Sequence, residues 1–240
     1  MSRIPLSGAF LLGPDESRHA VKVFRHHEGD LLRIGDGAGV QALGRVISAQ
    51  PEECRLEITG EVRIAPKPRI HLAVAALKDD DLEEVMETCG QLPLGSLTVL
   101  RTAHSLEPRA SGMERTLRRL EMKSLAAFKQ SMKPWLTTVQ GPVALASWLQ
   151  QVSSKIILCD STGAPELPRN LHGAQSGDLV LLIGPEGGFS PEEIAFFRAR
   201  EAAVLSLGST RLRAKTCPIV ALGALLGSGV QFAAVTTESL

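Results

Sequence analysis

Residues Leu181-Leu182-Ile183-Gly184-Pro185-Glu186-Gly187-Gly188-Phe189-Ser190-Pro191-Glu192-Glu193-Ile194 constrain this chain more than any other stretch. Apolar strand residues run into a glycine-rich turn, and the turn runs directly into a helix start. Ser190 is placed to N-cap that helix, Pro191 suits its first position, and Glu192 and Glu193 put negative charge in its first turn. Glu193 stands three residues after Ser190, the spacing of a capping box. A strand ending in glycines at a helix N-terminus bares main-chain N–H groups with no side chain in front of them. The pattern therefore predicts a binding edge for a nucleotide-like ligand. It has neither the GxGxxG spacing of a dinucleotide fold nor the GK[ST] ending of a phosphate loop, so phosphate is not the expected ligand.

A second loop of the same kind follows. Leu205-Ser206-Leu207-Gly208-Ser209-Thr210-Arg211-Leu212-Arg213-Ala214-Lys215-Thr216 leads from a short strand through a cationic loop to a final apolar helix. Two such loops at the carboxyl ends of parallel strands form the usual ligand crevice of an α/β sheet. Arg211, Arg213 and Lys215 alternate, as cations meeting a phosphate backbone or a carboxylate do.

The remainder divides at Ala65-Pro66-Lys67-Pro68, read as a stiff linker. Residues 1–68 are expected to form a small β-barrel from short strands at 30–34, 40–47 and 54–64 with glycine turns, and a helix over 17–26. Residues 69–240 are expected to form a parallel α/β sheet. Predicted strands lie at 70–76, 97–101, 155–159, 179–183 and 203–207; predicted helices lie at 80–90, 114–132, 191–202 and from 218 to 227 or beyond. The uncharged stretch 216–237 holds Pro218, Gly223, Gly227 and Gly229 and has no aromatic flanks, so it reads as a tightly packed helix rather than a membrane span.

Net charge is zero, which gives no overall nucleic-acid signature. The charges are segregated, however. Residues 71–100 carry one lysine and six acids, and residues 101–140 carry eight Lys/Arg and three acids. Solvated helix faces explain such runs, with the basic one a weak pointer to phosphates. Tyrosine is absent, so an aromatic stacking platform is not expected to dominate RNA binding. Cys54, Cys89, Cys159 and Cys217 are far apart with no CxxC, and the six histidines lack ligand spacing, so no metal is expected. Arg3, Pro5 and Gly8 interrupt any leader-like run, and a reducing cytoplasm is the expected compartment.

Taken together, the two loops resemble the signatures of the RsmE-type 16S ribosomal RNA uridine-N3 methyltransferases of the SPOUT superfamily. Arg18-His19-Ala20 to Val23-Phe24-Arg25, with Gly29-Asp30-Leu31 to Asp36-Gly37, is similar to that family's PUA-like RNA-binding domain. The resemblance implies a C-terminal domain with a trefoil knot that cradles S-adenosylmethionine. The donor would lie against Ile183, Gly184, Glu186, Gly187 and Gly188, and against Leu207, Gly208, Leu212 and Arg213. It further implies a homodimer acting on 16S ribosomal RNA or the small ribosomal subunit, with Arg18, Lys22, Arg25 and Arg33 as RNA-contacting cations.

Methylating uracil N3 requires loss of a weakly acidic proton as the methyl arrives, so a base or an anion-stabilising cation is needed. Arg213 is the expected cation; no His or carboxylate is clearly placed as base, and Glu186 is the candidate, with holding its loop as the alternative role. The family pattern reads Leu-Gly-Pro-Arg-Ile-Leu-Arg-Thr-Glu-Thr-Ala; here Ser209, Thr210, Ala214, Lys215 and Cys217 are among the departures from it, Lys215 by reversing a charge. Gln91-Leu92-Pro93-Leu94-Gly95 and Lys129-Gln130-Ser131-Met132-Lys133 match two further family motifs only loosely. These departures leave open a second reading, a SPOUT-fold RNA-binding or ribosome-assembly protein with weakened catalysis.

Overall fold

The computed structural model describes residues 3–5, 7–59, 63–64, 70–105, 110–165 and 178–228. The predicted linker 65–68 and the end of the chain from 229 lie outside them. The chain separates into two compact units, Met1–Lys67 with Met132–Trp135, and Pro68–Ser131 with Leu136–Leu240.

In the first unit, β1 (Gly8–Leu11), β2 (Leu31–Gly35), β3 (Val40–Ala49), β4 (Cys54–Ile58) and β5 (Arg63–Ile64) form an antiparallel sheet in the order β1-β4-β3-β2, with β5 added to β3. Alternation sets its faces. In β4, Cys54, Leu56 and Ile58 are buried while Arg55 and Glu57 are exposed. The β2–β3 turn is built on Asp36, whose Oδ1 accepts the N–H groups of Ala38 (2.7 Å) and Val40 (3.0 Å), with Gly37 and Gly39 at positive φ. The helix expected over 17–26 is instead α1 (Pro14–Arg18) continuing into a π-helical turn, His19–Val23. It is secured by Ser17 Oγ, which donates to Leu12 O and accepts from Cys54 N. The expected strand 54–64 is two strands, β4 and β5.

The second unit is a six-stranded parallel sheet in the order β11-β9-β10-β6-β7-β8. The strands are β6 (Ile70–Ala75), β7 (Leu94–Arg101), β8 (Thr138–Ala144), β9 (Lys155–Ala164), β10 (Leu179–Ile183) and β11 (Ala203–Leu205). Both faces are covered, which is why the central strands read as continuous apolar runs. On one face Leu179, Leu181 and Ile183 pack with α2 (Asp79–Cys89), α3 (Ala110–Ser131) and α6 (Cys217–Gly227). On the other, Val180 and Leu182 pack with α4 (Leu145–Gln151) and α5 (Pro191–Ala199).

Two elements escape the sequence reading. β8 pairs only with β7, so as an edge strand it tolerates Gly141-Pro142 in its middle. α4 has seven residues, no side-chain cap and no acid in its first turn. α5 and β11 end earlier than expected, at Ala199 and Leu205; the helix is broken by a positive φ of 51° at Glu201.

The segregated charges face each other. Glu83 and Glu87 on α2 meet Arg119 (3.2 Å) and Lys123 (2.6 Å) on α3, one helical turn apart on both helices. Two cations of the basic run are thus paired with the acidic run, and Arg118 is paired with Glu114 inside α3. Exposed pairs of this kind contribute only tenths of a kcal/mol each and chiefly fix the helix register.

Main-chain contact places β11. A side chain at Gly163 of β9 would stand 2.7 Å from the carbonyl of Val204. Gly163→Ala should therefore cost about 1–3 kcal/mol in urea unfolding, and wild-type stability in the variant would refute this packing.

Candidate active site

The loops following β10, β11 and β7 meet at the carboxyl edge of the second unit. The first, Gly184–Ser190, follows from its local sequence. Gly188 N–H closes a turn onto Pro185 O (2.9 Å), with Gly188 at φ 72°. Ser190 then caps α5 as expected: its Oγ accepts Glu193 N–H (3.3 Å), and Glu193 Oε2 accepts Ser190 N–H (2.9 Å). Gly184 makes room for the Phe189 ring, since a Cβ there would lie 2.7 Å from it and force the ring to shift.

The second loop, Leu207–Thr216, is joined to the first by Arg211, whose Nη2 donates to Glu186 O (3.3 Å). Gly208 sits at φ 121°, and both Gly188 and Gly208 have open space where a side chain would be. Ile183 is buried in the core and Leu207 packs against it, so these two hold the loop bases rather than present side chains. Leu212 is half-buried and Arg213 exposed. The three alternating cations have separate fates. Arg211 bridges the loops, Lys215 binds Asp81 (3.0 Å) and Glu84 (2.7 Å) of α2, and the Arg213 guanidinium has no hydrogen-bond or ion-pair partner among the described residues. The charge reversal at Lys215 is therefore balanced by acids already on α2.

The third loop, Thr102–Ser105 after β7, brings in His104, one of the six histidines without ligand spacing. Ala103 N–H donates to Glu193 Oε1 (2.8 Å), and His104 Nδ1 lies 3.1 Å from Gly188 O. The two loops pack closely at Gly187, where a Cβ would be 3.1 Å from that of His104 and would push it back by a few tenths of an ångström. Thr102 Oγ1 is buried without a hydrogen-bond partner among the described residues, the kind of group a bound ligand satisfies. The only available signal was a polar Thr-Ala-His-Ser run ending an apolar strand.

Titration limits the chemistry. The Ser190 hydroxyl, the main chain of Glu192 and nearby His104 hold the Glu192 carboxyl below its ordinary range. Burial pushes the Cys89 and Cys159 thiols up to about 12 and raises those of Cys54 and Cys217, so none is a ready thiolate nucleophile. Burial lowers Lys133 to about 8. No group of three or more His, Cys, Asp or Glu among the described residues suits a metal ion, and no helix among them is long and apolar enough to cross a membrane.

Residues 65–226 match the model of the RNA methyltransferase domain, and residues 12–59 that of the RNA methyltransferase PUA domain. The chain belongs to the RNA methyltransferase family. Similar proteins include the ribosomal RNA small subunit methyltransferases E of Mycobacterium bovis and Synechocystis. The first is 28% identical over 92% of this chain and 88% of its own length; the second is 30% identical over 84% and 67%. The same fold is seen in the ribosomal RNA small subunit methyltransferase E of Neisseria gonorrhoeae, bound to S-adenosyl methionine, with TM-score 0.79, 18% identity and 94% of each chain covered. In this RNA methyltransferase the expected RNA-contacting residues Arg18, Lys22, Arg25 and Arg33 are all exposed on the PUA unit, Arg18 paired with Asp15 (3.5 Å). Phe24 is 64% exposed, with His19 edge-on to its ring, despite the scarcity of aromatics.

Two outcomes test this local construction. Ser190→Ala should destabilise the protein by about 1 kcal/mol in urea titration through loss of the cap. The Lys215 ammonium is raised above its ordinary value by the hydrogen bonds it donates to Glu84 and then Asp81. A raised folded value means the stabilisation is complete below the unfolded value and lost as pH climbs through the folded one. Lys215→Met should therefore be less stable than wild type at neutral pH, and the difference should fade in strongly alkaline titrations; a gap independent of pH would refute the pairing.

Proposed function

We propose that this chain transfers a methyl group from S-adenosylmethionine to N3 of a uridine in 16S ribosomal RNA, working as a homodimer in the cytoplasm. The observation that carries the reading is the junction of the Gly184–Ser190 and Leu207–Thr216 loops through Arg211 and Glu186, in a chain whose relatives are named for this class of reaction. The residues fit an adenosyl donor. Gly188 and Gly208 leave open space over bare main chain, Thr102 offers an unsatisfied hydroxyl, and neither loop has the glycine–lysine arrangement of a phosphate cradle. The main chain of Ile183, Gly184, Glu186, Gly187 and Gly188 would hold the donor from one side, and Leu207, Gly208, Leu212 and Arg213 from the other. When bound, the donor supplies an electrophilic methyl on a sulfonium.

Arg213 stabilises the charge that develops on the uracil ring, because Arg211 and Lys215 are already engaged. Arg18, Lys22, Arg25 and Arg33 hold the phosphate backbone, which positions the RNA without reading its sequence. A trefoil arrangement is supported by strand order, since β10 lies between β9 and β6 and β11 lies outside β9. The dimer is supported by α6, where Val220, Gly223, Ala224 and Gly227 are exposed on an apolar helix. The pairing of Lys215 with Asp81 and Glu84 favours a working enzyme over a weakened one, because the departure from the family pattern is accommodated.

Calorimetry with S-adenosylmethionine and methylation of 16S RNA with labelled donor test the reading. Binding and one N3-methyluridine per RNA are expected, and no binding would overturn it. Arg213→Ala should lower kcat by about 10²–10³, with partial recovery in Arg213→Lys; an unchanged kcat would move the electrostatic role elsewhere.

A further inference from the structure

The geometry points to His104 as the general base of the transfer, taking the uridine N3 proton on Nε2. This assignment rests on the function proposed above. A carbonyl oxygen only accepts hydrogen bonds, so the contact between His104 Nδ1 and Gly188 O (3.1 Å) requires Nδ1 to carry the proton. In the neutral ring Nε2 then holds the lone pair. The main chain of the proposed donor loop thus sets the tautomer of an exposed histidine at its own rim.

The loop carrying His104 is held on both sides. Ala103 N–H is fixed by Glu193 Oε1, and Gly187 packs directly beneath the His104 Cβ. The carboxylates placed beside it are Glu192 and Glu193 of α5, while Arg211 is engaged with the main-chain carbonyl of Glu186 in the glycine loop. None of these carboxylates is a better base. Glu193 has both oxygens occupied, by Ser190 N–H and Ala103 N–H. Glu192 accepts the Ser190 hydroxyl and is held below the ordinary carboxylate range. An imidazole is ordinarily a stronger base than a carboxylate and so the better acceptor for a weakly acidic N–H.

The step balances. The N3 electron pair forms the new bond to the methyl carbon, the carbon–sulfur pair stays on sulfur, and the N3 proton passes to His104 Nε2. The imidazolium so formed returns its proton to water once product leaves.

The test uses the full chain. Long-range ¹H–¹⁵N correlation of the histidine rings, read without donor or RNA, should show His104 in the Nδ1–H tautomer at neutral pH. His104→Gln keeps a donor for Gly188 O but accepts no proton. It should bind S-adenosylmethionine as wild type does while kcat falls by about 10²–10⁴, and the acid limb of the pH–rate profile should vanish. His104→Ala should behave alike and regain rate with added imidazole. An Nε2–H tautomer, a glutamine variant that keeps the rate and the limb, or one that loses donor affinity in step with activity would each overturn the assignment. If wild type itself neither binds donor nor methylates RNA, the proposed function fails first and takes this assignment with it.

Discussion

The carboxylate of Glu193 is the point on which the edge of the methyltransferase unit depends. One oxygen accepts Ser190 N–H and completes the cap of α5; the other accepts Ala103 N–H and draws in the loop after β7. A single side chain in the first turn of a helix thus closes its own N-terminus and ties together loops from two strands separated in the sheet by β6. An acid in the first turn also interacts favourably with the helix dipole, which adds to the two hydrogen bonds it accepts.

The parts of this architecture that could be read from the sequence are those whose signals are local. β10, the Ser190 cap and the glycine loop are adjacent residues obeying short-range rules, and they fold as those rules dictate. The parallel sheet followed from apolar runs covered on both faces. β8 and α4 were hidden because an edge position excuses a proline and because a seven-residue helix relies on packing rather than on caps. His104 was hidden for a different reason: its partner, Gly188 O, lies 84 residues away, and nothing in a Thr-Ala-His-Ser run announces that contact.

Charge illustrates the same divide. The acidic and basic runs were legible as runs, but not as partners. The structure gives α2 two acidic edges, one pairing with α3 and the other with Lys215. Lys215 appears as a reversal when the loop is considered alone and as a complement when α2 is included. A substitution at a site lip is best judged together with the helix behind it.

Gly163 has a consequence of another kind. Ala203 and Val204 pack against the two core faces of the sheet, while the bare main chain at 163 sets how near β11 comes to β9. The loop that carries Arg211 and Arg213 starts from this strand, so a missing atom on β9, remote from any chemistry, fixes where that loop begins.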